Sequence, residues 1–181
     1  MAFIEVVVDS IRVNKETNQY AVILKEKSSD RYMPIWTAEA QADAIAIKMQ
    51  NISAPRPMTH DLICNLINVM GFKLLCAQIS HLKNDTFYAY IIIQSKKEQY
   101  AVDCIPSDAI AAALRAVAPI YVEASILEEA GIILDKETGK PISIRKEEHK
   151  PKVSKEELRK LHDFYKFIER LNAEEKGPKT K

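Results

Sequence analysis

The sequence predicts an α+β domain, built on a single largely antiparallel, barrel-like sheet with flanking helices and followed by a C-terminal helix. Three observations predict this fold class. Alternating apolar and β-branched residues indicate strands, and short polar turns join these strands, which favours antiparallel pairing. Apolar residues spaced by three or four positions indicate helices after every third strand. The order of three strands and two helices occurs twice, which predicts a duplicated unit.

The first half of the domain is predicted to contain three strands, at residues 3–13, 19–27 and 31–36. The polar segments between them supply the turns. An alanine-rich segment at residues 37–51 changes to helical spacing, and the Ala-Pro-Arg-Pro motif at 54–57 ends that helix.

A second helix is predicted at residues 59–70, with Thr59 as its N-cap and Gly71 at its end. Its buried face is expected to consist of five apolar residues, Leu62, Ile63, Leu66, Ile67 and Met70.

The second half repeats this order of elements. Ser107 is the expected N-cap of its first helix, and Gly131 is expected to end its second helix. The predicted elements are strands at residues 72–82, 86–94 and 99–104 and helices at residues 108–117 and 125–130.

A short internal repeat supports the duplication. The tetrapeptide Asp-Ala-Ile-Ala occurs at residues 43–46 and again at 108–111. Together with the order of elements, it predicts two β3α2 units, at about residues 3–70 and 72–131, within a domain of residues 1–134.

The chain becomes strongly charged after residue 134. Residues 135–153 are predicted to be a linker, and residues 154–181 a C-terminal helix with a disordered tail. A capping-box pattern opens this helix, and its apolar stripe must pack on the domain or on another subunit.

The charges are divided unevenly along the chain. Up to residue 134 there are 12 Lys and Arg against 15 Asp and Glu, and from residue 135 onward there are 14 against 10. Because binding a phosphate backbone requires clustered cations, the composition gives only weak support to nucleic acid as a partner. Mixed Lys and Glu in the C-terminal part are typical of a solvated surface.

Several functional classes lose support from what the sequence lacks. The three cysteines are scattered without a CxxC pair, so neither a disulfide framework nor a zinc site is expected. No signal peptide is expected, since Glu5 and Asp9 interrupt the first apolar run, and no run reaches the ~20 residues of a membrane span. We therefore expect a cytoplasmic protein without a membrane partner. Without GxGxxG, Walker, HExxH or GxSxG motifs, nucleotide-cofactor and common hydrolase sites are disfavoured.

One cluster of chemically capable residues opens the second helix: Arg56, Thr59, His60 and Asp61. The free N–H groups and the positive dipole end of a helix favour an anion such as phosphate. His60 is a candidate acid or base because the ordinary pKa of histidine lies near neutrality. Arg56 and Thr59 are candidate phosphate contacts. The alternative is that Thr59 and Asp61 only cap the helix while Arg56 pairs with Asp61.

A second cluster lies where the sixth predicted strand leads into a helix. Asp103 and Asp108 are candidate ligands of a shared divalent metal, Mg²⁺ or Mn²⁺, which would assist phosphodiester cleavage. Ser107 and Arg115 are candidate phosphate contacts. The alternative is capping together with an ion pair between Asp108 and Arg115, two turns apart on one helical face. The sequence does not establish whether the two clusters meet.

Four segments resemble the bifunctional nuclease domain family. They are RPMTHDLICNLINVMG at residues 56–71, MPIWTAEAQADAIA at 33–46, TFYAYIII at 86–93 and PSDAIAAALRAVAPIYV at 106–122. The resemblance covers about residues 3–131. It implies two β3α2 repeats in a barrel-like sheet, cleavage of both DNA and RNA, and a homo-oligomer.

Two departures from the family pattern bear on activity. This chain has Ile105 where the family commonly has Arg, and Thr37-Ala38 where it favours Ile-Gly. The missing arginine beside the expected phosphate site weighs against catalysis.

These observations predict a metal-assisted nuclease. His60 would be the acid or base, Asp61 and Asp108 metal ligands or orienting groups, and Arg56 and Ser107 phosphate contacts. The alternatives are a non-catalytic homo-oligomeric module and a small-anion-binding protein. A nuclease requires His60 and Asp108 in one open cleft, whereas a module predicts that they are paired and buried.

Overall fold

A computed structural model of the protein describes residues 2–14, 19–84, 86–96, 98–134 and 141–142. These residues lie in the first of two compact units, Met1–Ile144. The predicted C-terminal helix, and the predicted linker apart from residues 141–142, lie outside the described residues. No described helix is long and apolar enough to cross a membrane.

The described elements follow the predicted order closely. Those of the first half are β1 (Phe3–Asn14), β2 (Gln19–Glu26), β3 (Arg31–Thr37), α1 (Glu39–Met49) and α2 (Thr59–Val69). Those of the second half are β4 (Lys73–Lys83), β5 (Thr86–Gln94), β6 (Gln99–Cys104), α3 (Pro106–Ala116), β7 (Ile120–Glu123), α4 (Ala124–Ala130), β8 (Ile132–Leu134) and β9 (Pro141–Ile142). Within residues 1–134, every predicted strand and helix is present, with its ends shifted by at most two residues.

The described strands form one sheet in the order β6-β5-β4-β7-β1-β2-β3-β8-β9. All neighbours are antiparallel except β4 and β7, which are parallel. The prediction of an α+β fold with a largely antiparallel sheet is therefore confirmed. The order is linear, and closure of the sheet into a barrel is not seen among the described strands.

Strand β7 joins the two halves of the sheet and was not predicted. It pairs with β1 on one side and with Ala77–Ile79 of β4 on the other, next to a hydrogen bond from Ala77 N–H to Pro119 O (3.0 Å). Four residues are too few to show a strand pattern in the sequence. Since the described residues between α1 and α2 form no matching strand, the duplication stays a prediction.

Helix α3 lies at the centre of the core. Five consecutive residues, from Ala109 to Ala113, are buried, and four of them are alanine. Small side chains allow neighbouring backbones to approach closely, and α3 contacts α1, α2, β4 and β5. This position places α3 alongside α2.

Helix α2 buries a different face from the predicted one. His60 and Ile67 are buried with Ile63 and Cys64 partly covered, whereas the predicted core residues Leu62, Leu66 and Met70 are more than half exposed. The helix has apolar residues on most of its circumference, so their spacing did not identify the face that meets the core.

Two predicted N-caps are wrong. Thr59 is the first residue of α2 and follows Met58 at the cap position, where Met58 N–H donates to Asp61 Oδ2 (2.8 Å). Ser107 is the second residue of α3, because Pro106 starts that helix with a preset φ and no N–H to satisfy. Gly71 follows α2 with φ +79°, as predicted for a residue that ends a helix.

A buried carboxylate holds the turn between β2 and β3. Glu26, 5% exposed, accepts hydrogen bonds from Arg31 Nε (2.7 Å), Ser29 Oγ (2.6 Å) and Ser28 Oγ (2.9 Å). The hydrogen bond from Arg31, followed by that from Ser29, lowers the pKa of Glu26 from 4.5 to about 2, against the opposing effect of burial.

We expect Glu26→Gln to lower the free energy of unfolding by about 1–3 kcal/mol at pH 7, because Arg31 loses its charged partner. The folded pKa lies below the unfolded one, so this contribution is complete above about pH 4.5 and is lost as the pH falls toward 2. Urea unfolding of the wild type and the variant at pH 7 and pH 3 measures the change. Asp43→Asn, at an exposed site on α1, is the control. If the wild type and Glu26→Gln differed in free energy of unfolding by the same amount at pH 7 and pH 3, the lowered pKa of Glu26 would not be the source of the effect.

Candidate functional site

The first turns of α2 and α3 lie side by side. His60 Nε2 is 3.2 Å from Asp108 Oδ1, and one turn further along Cys64 Sγ donates to Ala112 O (3.6 Å). Both contacts join residues 48 positions apart, so the two helices run in the same direction there. The structure therefore brings the two sequence clusters together through His60 and Asp108, with both helix N-termini at the same end.

The members of this pair differ in their access to solvent. The side chain of His60 is 9% exposed, whereas that of Asp108 is 37% exposed. An ionised carboxylate only accepts hydrogen bonds, so His60 Nε2 donates to Asp108. His60 thus restrains the carboxylate from inside, and Asp108 is the group that faces solvent. The alternative pairing of Asp108 with Arg115 is not the one observed.

Arg115 joins three helices from a position that is 5% exposed. Its Nε donates to Asp61 Oδ1 (2.7 Å). Nη1 donates to the carbonyl oxygens of Ala44 (3.2 Å) and Ala111 (3.1 Å), and Nη2 also donates to that of Ala44 (3.2 Å). These contacts with protein acceptors give Arg115 a structural role, and its role as a phosphate contact stays a prediction.

Asp61 is the acidic partner in this network. Burial raises the pKa of its carboxyl, but hydrogen bonds from Met58 N–H and Arg115 outweigh burial, so the pKa is lowered overall. The charge of Lys48 on α1 acts in the same direction. Both oxygens of Asp61 have protein donors, and its cationic partner is Arg115 and not Arg56, which the alternative interpretation of this cluster had paired with it.

The remaining predicted site residues differ in accessibility. Arg56, in the loop before α2, and Thr59, at the start of α2, are exposed on the side of the helix N-terminus. Ser107 is buried, which leaves its hydroxyl little access to a polymer substrate. Asp103 is exposed on β6.

The described residues do not form a preformed metal centre. Among them, no group of three or more His, Cys, Asp or Glu side chains could hold a metal ion. At the site itself the atoms that could bind a metal are His60 Nε2 and Asp108 Oδ1, and these two atoms are hydrogen-bonded to each other. The predicted pairing of Asp103 with Asp108 as metal ligands therefore has no third protein ligand here.

A cavity of about 350 Å³ opens beside Asp61, between α2, the end of α3 and the start of β4. Burial raises the pKa of the Cys64 thiol in its wall, so this group is neutral near pH 7. The sequence did not single out the amides of α2 as site residues, although two Asn residues three positions apart in an apolar helix share one face. The polar residues that line the cavity are Asp61, Asn65, Asn68, Lys73 and Arg115.

The chain is similar to several known proteins. The sequence model of the bifunctional nuclease domain matches residues 22–149. An uncharacterized protein of Mycobacterium tuberculosis is 39% identical over 160 residues, which cover 88% of this chain and 92% of that protein. Bifunctional nuclease 1 of Oryza sativa subsp. japonica is 28% identical over 126 residues, or 67% of this chain and 38% of the rice protein. Bifunctional nuclease 2 of Arabidopsis thaliana is 24% identical over 106 residues, or 56% and 32%.

Proposed function

This chain belongs to the bifunctional nuclease domain family, and we propose that it is a nuclease that hydrolyses phosphodiester bonds of DNA or RNA. The observation that carries the proposal is the solvent access of Asp108, which is 37% exposed although it pairs with His60 at two adjacent helix N-termini, whereas the non-catalytic module predicted both groups to be buried. A carboxylate held by an imidazole suits proton transfer, and the helix ends suit a phosphate.

In the proposed reaction, Asp108 accepts the proton of the water whose oxygen attacks phosphorus. The phosphorus–oxygen ester bond breaks, and the leaving oxygen takes a proton from solvent. His60 positions the carboxylate through its Nε2–H. This arrangement differs from the one predicted from sequence, where His60 itself was the acid or base, because His60 is the more buried of the two side chains.

Charge developing on the phosphate needs stabilisation from the protein. The positive dipole ends of α2 and α3 act on an anion in front of their first turns. Arg56 and Thr59 are exposed beside the start of α2 and are the proposed phosphate contacts.

The proposal includes assistance of cleavage by Mg²⁺ or Mn²⁺, and the cleavage experiment compares these ions with EDTA. Mg²⁺ is often bound by one or two carboxylates together with substrate phosphates, which does not require a protein-only centre. Asp108 and Asp61 have similar solvent access, but both oxygens of Asp61 already accept hydrogen bonds from Met58 N–H and Arg115, so Asp108 is the carboxylate proposed to contribute in this way.

The experiment is cleavage of supercoiled plasmid and end-labelled RNA by the purified full chain, in Mg²⁺, Mn²⁺ or EDTA. We expect cleavage by the wild type and at least an approximately tenfold loss in His60→Ala. His81→Ala is the matched control, since His81 stacks on Tyr88 (ring centroids 4.3 Å apart) within β4 and β5. No cleavage by the wild type under any condition would refute the proposal. Equal cleavage by the wild type and His60→Ala would place the activity elsewhere.

A second candidate is a non-catalytic module that associates with itself. The observation in its favour is the row of apolar residues that α2 exposes in the single chain: Leu62, Leu66, Val69 and Met70. The absence of cleavage together with stable self-association would support this candidate over a nuclease.

A further inference from the structure

Strand β6 carries two exposed apolar side chains on the face of the sheet that packs against the helices. Tyr100 and Val102 lie directly opposite Ile93 and Ile91 of β5, and both isoleucines belong to the hydrophobic core. Because directly opposed residues of neighbouring strands point to the same side of a sheet, Tyr100 and Val102 lie on the core side. Nevertheless 47% of Tyr100 and 41% of Val102 remain exposed.

These two side chains lead along the chain to the start of α3. Ile105 follows the last residue of β6, occupies the N-cap position of α3 and is 53% exposed. Its carbonyl oxygen accepts a hydrogen bond from Asp108 N–H (3.1 Å), so Ile105 belongs to the same turn as the Asp108 carboxylate. Tyr100, Val102 and Ile105 therefore form an apolar strip that ends at the candidate site.

The ring of Tyr100 is held in place at the far end of this apolar strip. Its hydroxyl donates a hydrogen bond to Glu98, and its ring meets that of Phe72 edge-on, with centroids 5.8 Å apart and planes at 62°. The contact with Phe72 covers at most one face of the Tyr100 ring, in agreement with the exposure of that side chain. A ring that is already fixed loses little conformational freedom when another planar group stacks on it.

We propose that the apolar strip binds the bases of a single strand of DNA or RNA, and that single strands are the substrates of the candidate site. This inference rests on the proposed nuclease function, which places a phosphodiester at Asp108. Bases stack on aromatic side chains with little regard to sequence. Residues two apart in a strand are about 6.8 Å apart, roughly twice the 3.4 Å between nucleotides of a duplex strand. A drawn-out single strand can therefore place successive bases over Tyr100 and Val102.

A duplex suits this surface poorly. Its bases are stacked inside and it presents its phosphates, which proteins bind with clustered Lys and Arg. The apolar strip consists of three uncharged side chains, and residues 1–134 carry 12 Lys and Arg against 15 Asp and Glu. The surface beside Asp108 thus offers contacts for exposed bases and few for a second strand of phosphates.

The first test compares binding of single-stranded and double-stranded DNA by the full chain carrying Asp108→Asn, so that cleavage does not interfere. By fluorescence anisotropy, a labelled single strand of about 12 nucleotides should bind at least about tenfold more tightly than the duplex of the same sequence at the same salt concentration. Equal or tighter binding of the duplex would overturn the proposal. So would the absence of single-strand binding at protein concentrations up to about 100 micromolar.

Variants of the full chain locate the contact. Tyr100→Ala should weaken single-strand binding about fivefold or more and change duplex binding little, because one stacked base is lost. Tyr88→Ala is the matched control, since Tyr88 is also exposed but its neighbour Ala89 is buried in the core, which turns Tyr88 to the opposite face. Circular dichroism and thermal unfolding check that both variants are folded. Equal losses in the two variants would refute the assignment of Tyr100.

A gain of charge tests the other end of the apolar strip. Ile105→Arg should reduce the preference for single strands, because a guanidinium at this position offers a phosphate contact that a duplex can also use. An unchanged preference would remove Ile105 from the binding surface.

Binding and cleavage together separate this inference from the proposed function. Single-strand binding that depends on Tyr100, without cleavage by the wild type, would retain the surface and refute the nuclease. Cleavage of duplex and single strands at equal rates, unaffected by Tyr100→Ala, would retain the nuclease and refute the surface. If Tyr100→Ala changed only the mass of the chain in sedimentation, the apolar strip would be a contact between proteins and the proposal would be wrong.

Discussion

Arg115→Ala is expected to lower the free energy of unfolding by about 2–4 kcal/mol. The substitution leaves the Asp61 carboxylate without its cation and the carbonyl oxygens of Ala44 and Ala111 without these donors. Breaking a buried ion pair costs about 3–5 kcal/mol, and the partial exposure of Asp61 reduces that figure. Arg115→Lys should recover only part of the loss, since one ammonium group cannot reproduce the planar set of donors.

Urea unfolding monitored by circular dichroism measures this effect. Arg56→Ala is the matched control, because Arg56 is exposed and its removal should change stability by no more than about 0.5 kcal/mol. A stable Arg115→Ala variant that has lost affinity for nucleic acid would restore the phosphate-binding role predicted from sequence.

The strands and helices were predictable because each depends on residues close in sequence. The turn residues after β1 and β4 and the Ala-Pro-Arg-Pro break lie between elements with clear spacing, and those elements were placed within two residues. The join between the halves was not predictable. It depends on four residues of β7 that pair with β4 and β1, and such pairing between distant segments leaves no local pattern.

At the candidate site too, contacts between residues distant in sequence could not be predicted from local spacing. The sequence identified His60 and Asp108, and their meeting depends on α2 and α3 lying in parallel, which local spacing does not fix. The alternative to a phosphate contact was that Arg115 pairs with Asp108 on its own helix. Asp108 and Arg115 are seven residues apart, which is about 10 Å along a helix. The guanidinium of Arg115 instead bonds to Asp61 of the neighbouring helix, with Nε 2.7 Å from Oδ1.

Asp108→Asn is expected to reduce the rate of phosphodiester cleavage by about 10²–10⁴-fold. Asparagine has nearly the same size and its amide oxygen can still accept the hydrogen bond from His60 Nε2, so the fold should be retained. It cannot accept a proton from water, which is the step that the proposed mechanism assigns to Asp108. Initial rates on labelled DNA and RNA, with thermal unfolding as a check of folding, measure the loss. Asp43→Asn on α1 should cleave like the wild type.

The double variant, which combines His60→Ala with Asp108→Asn, tests whether His60 and Asp108 act as one unit. If His60 serves only to position the Asp108 carboxylate, removing it after Asp108 should cost little more, and the combined loss should stay close to that of Asp108→Asn alone. Losses that multiply would mean that His60 acts on the substrate independently, as the sequence first suggested. Full activity in Asp108→Asn would exclude this carboxylate from the reaction and leave Arg56, Thr59 and the helix ends as a site for anion binding alone.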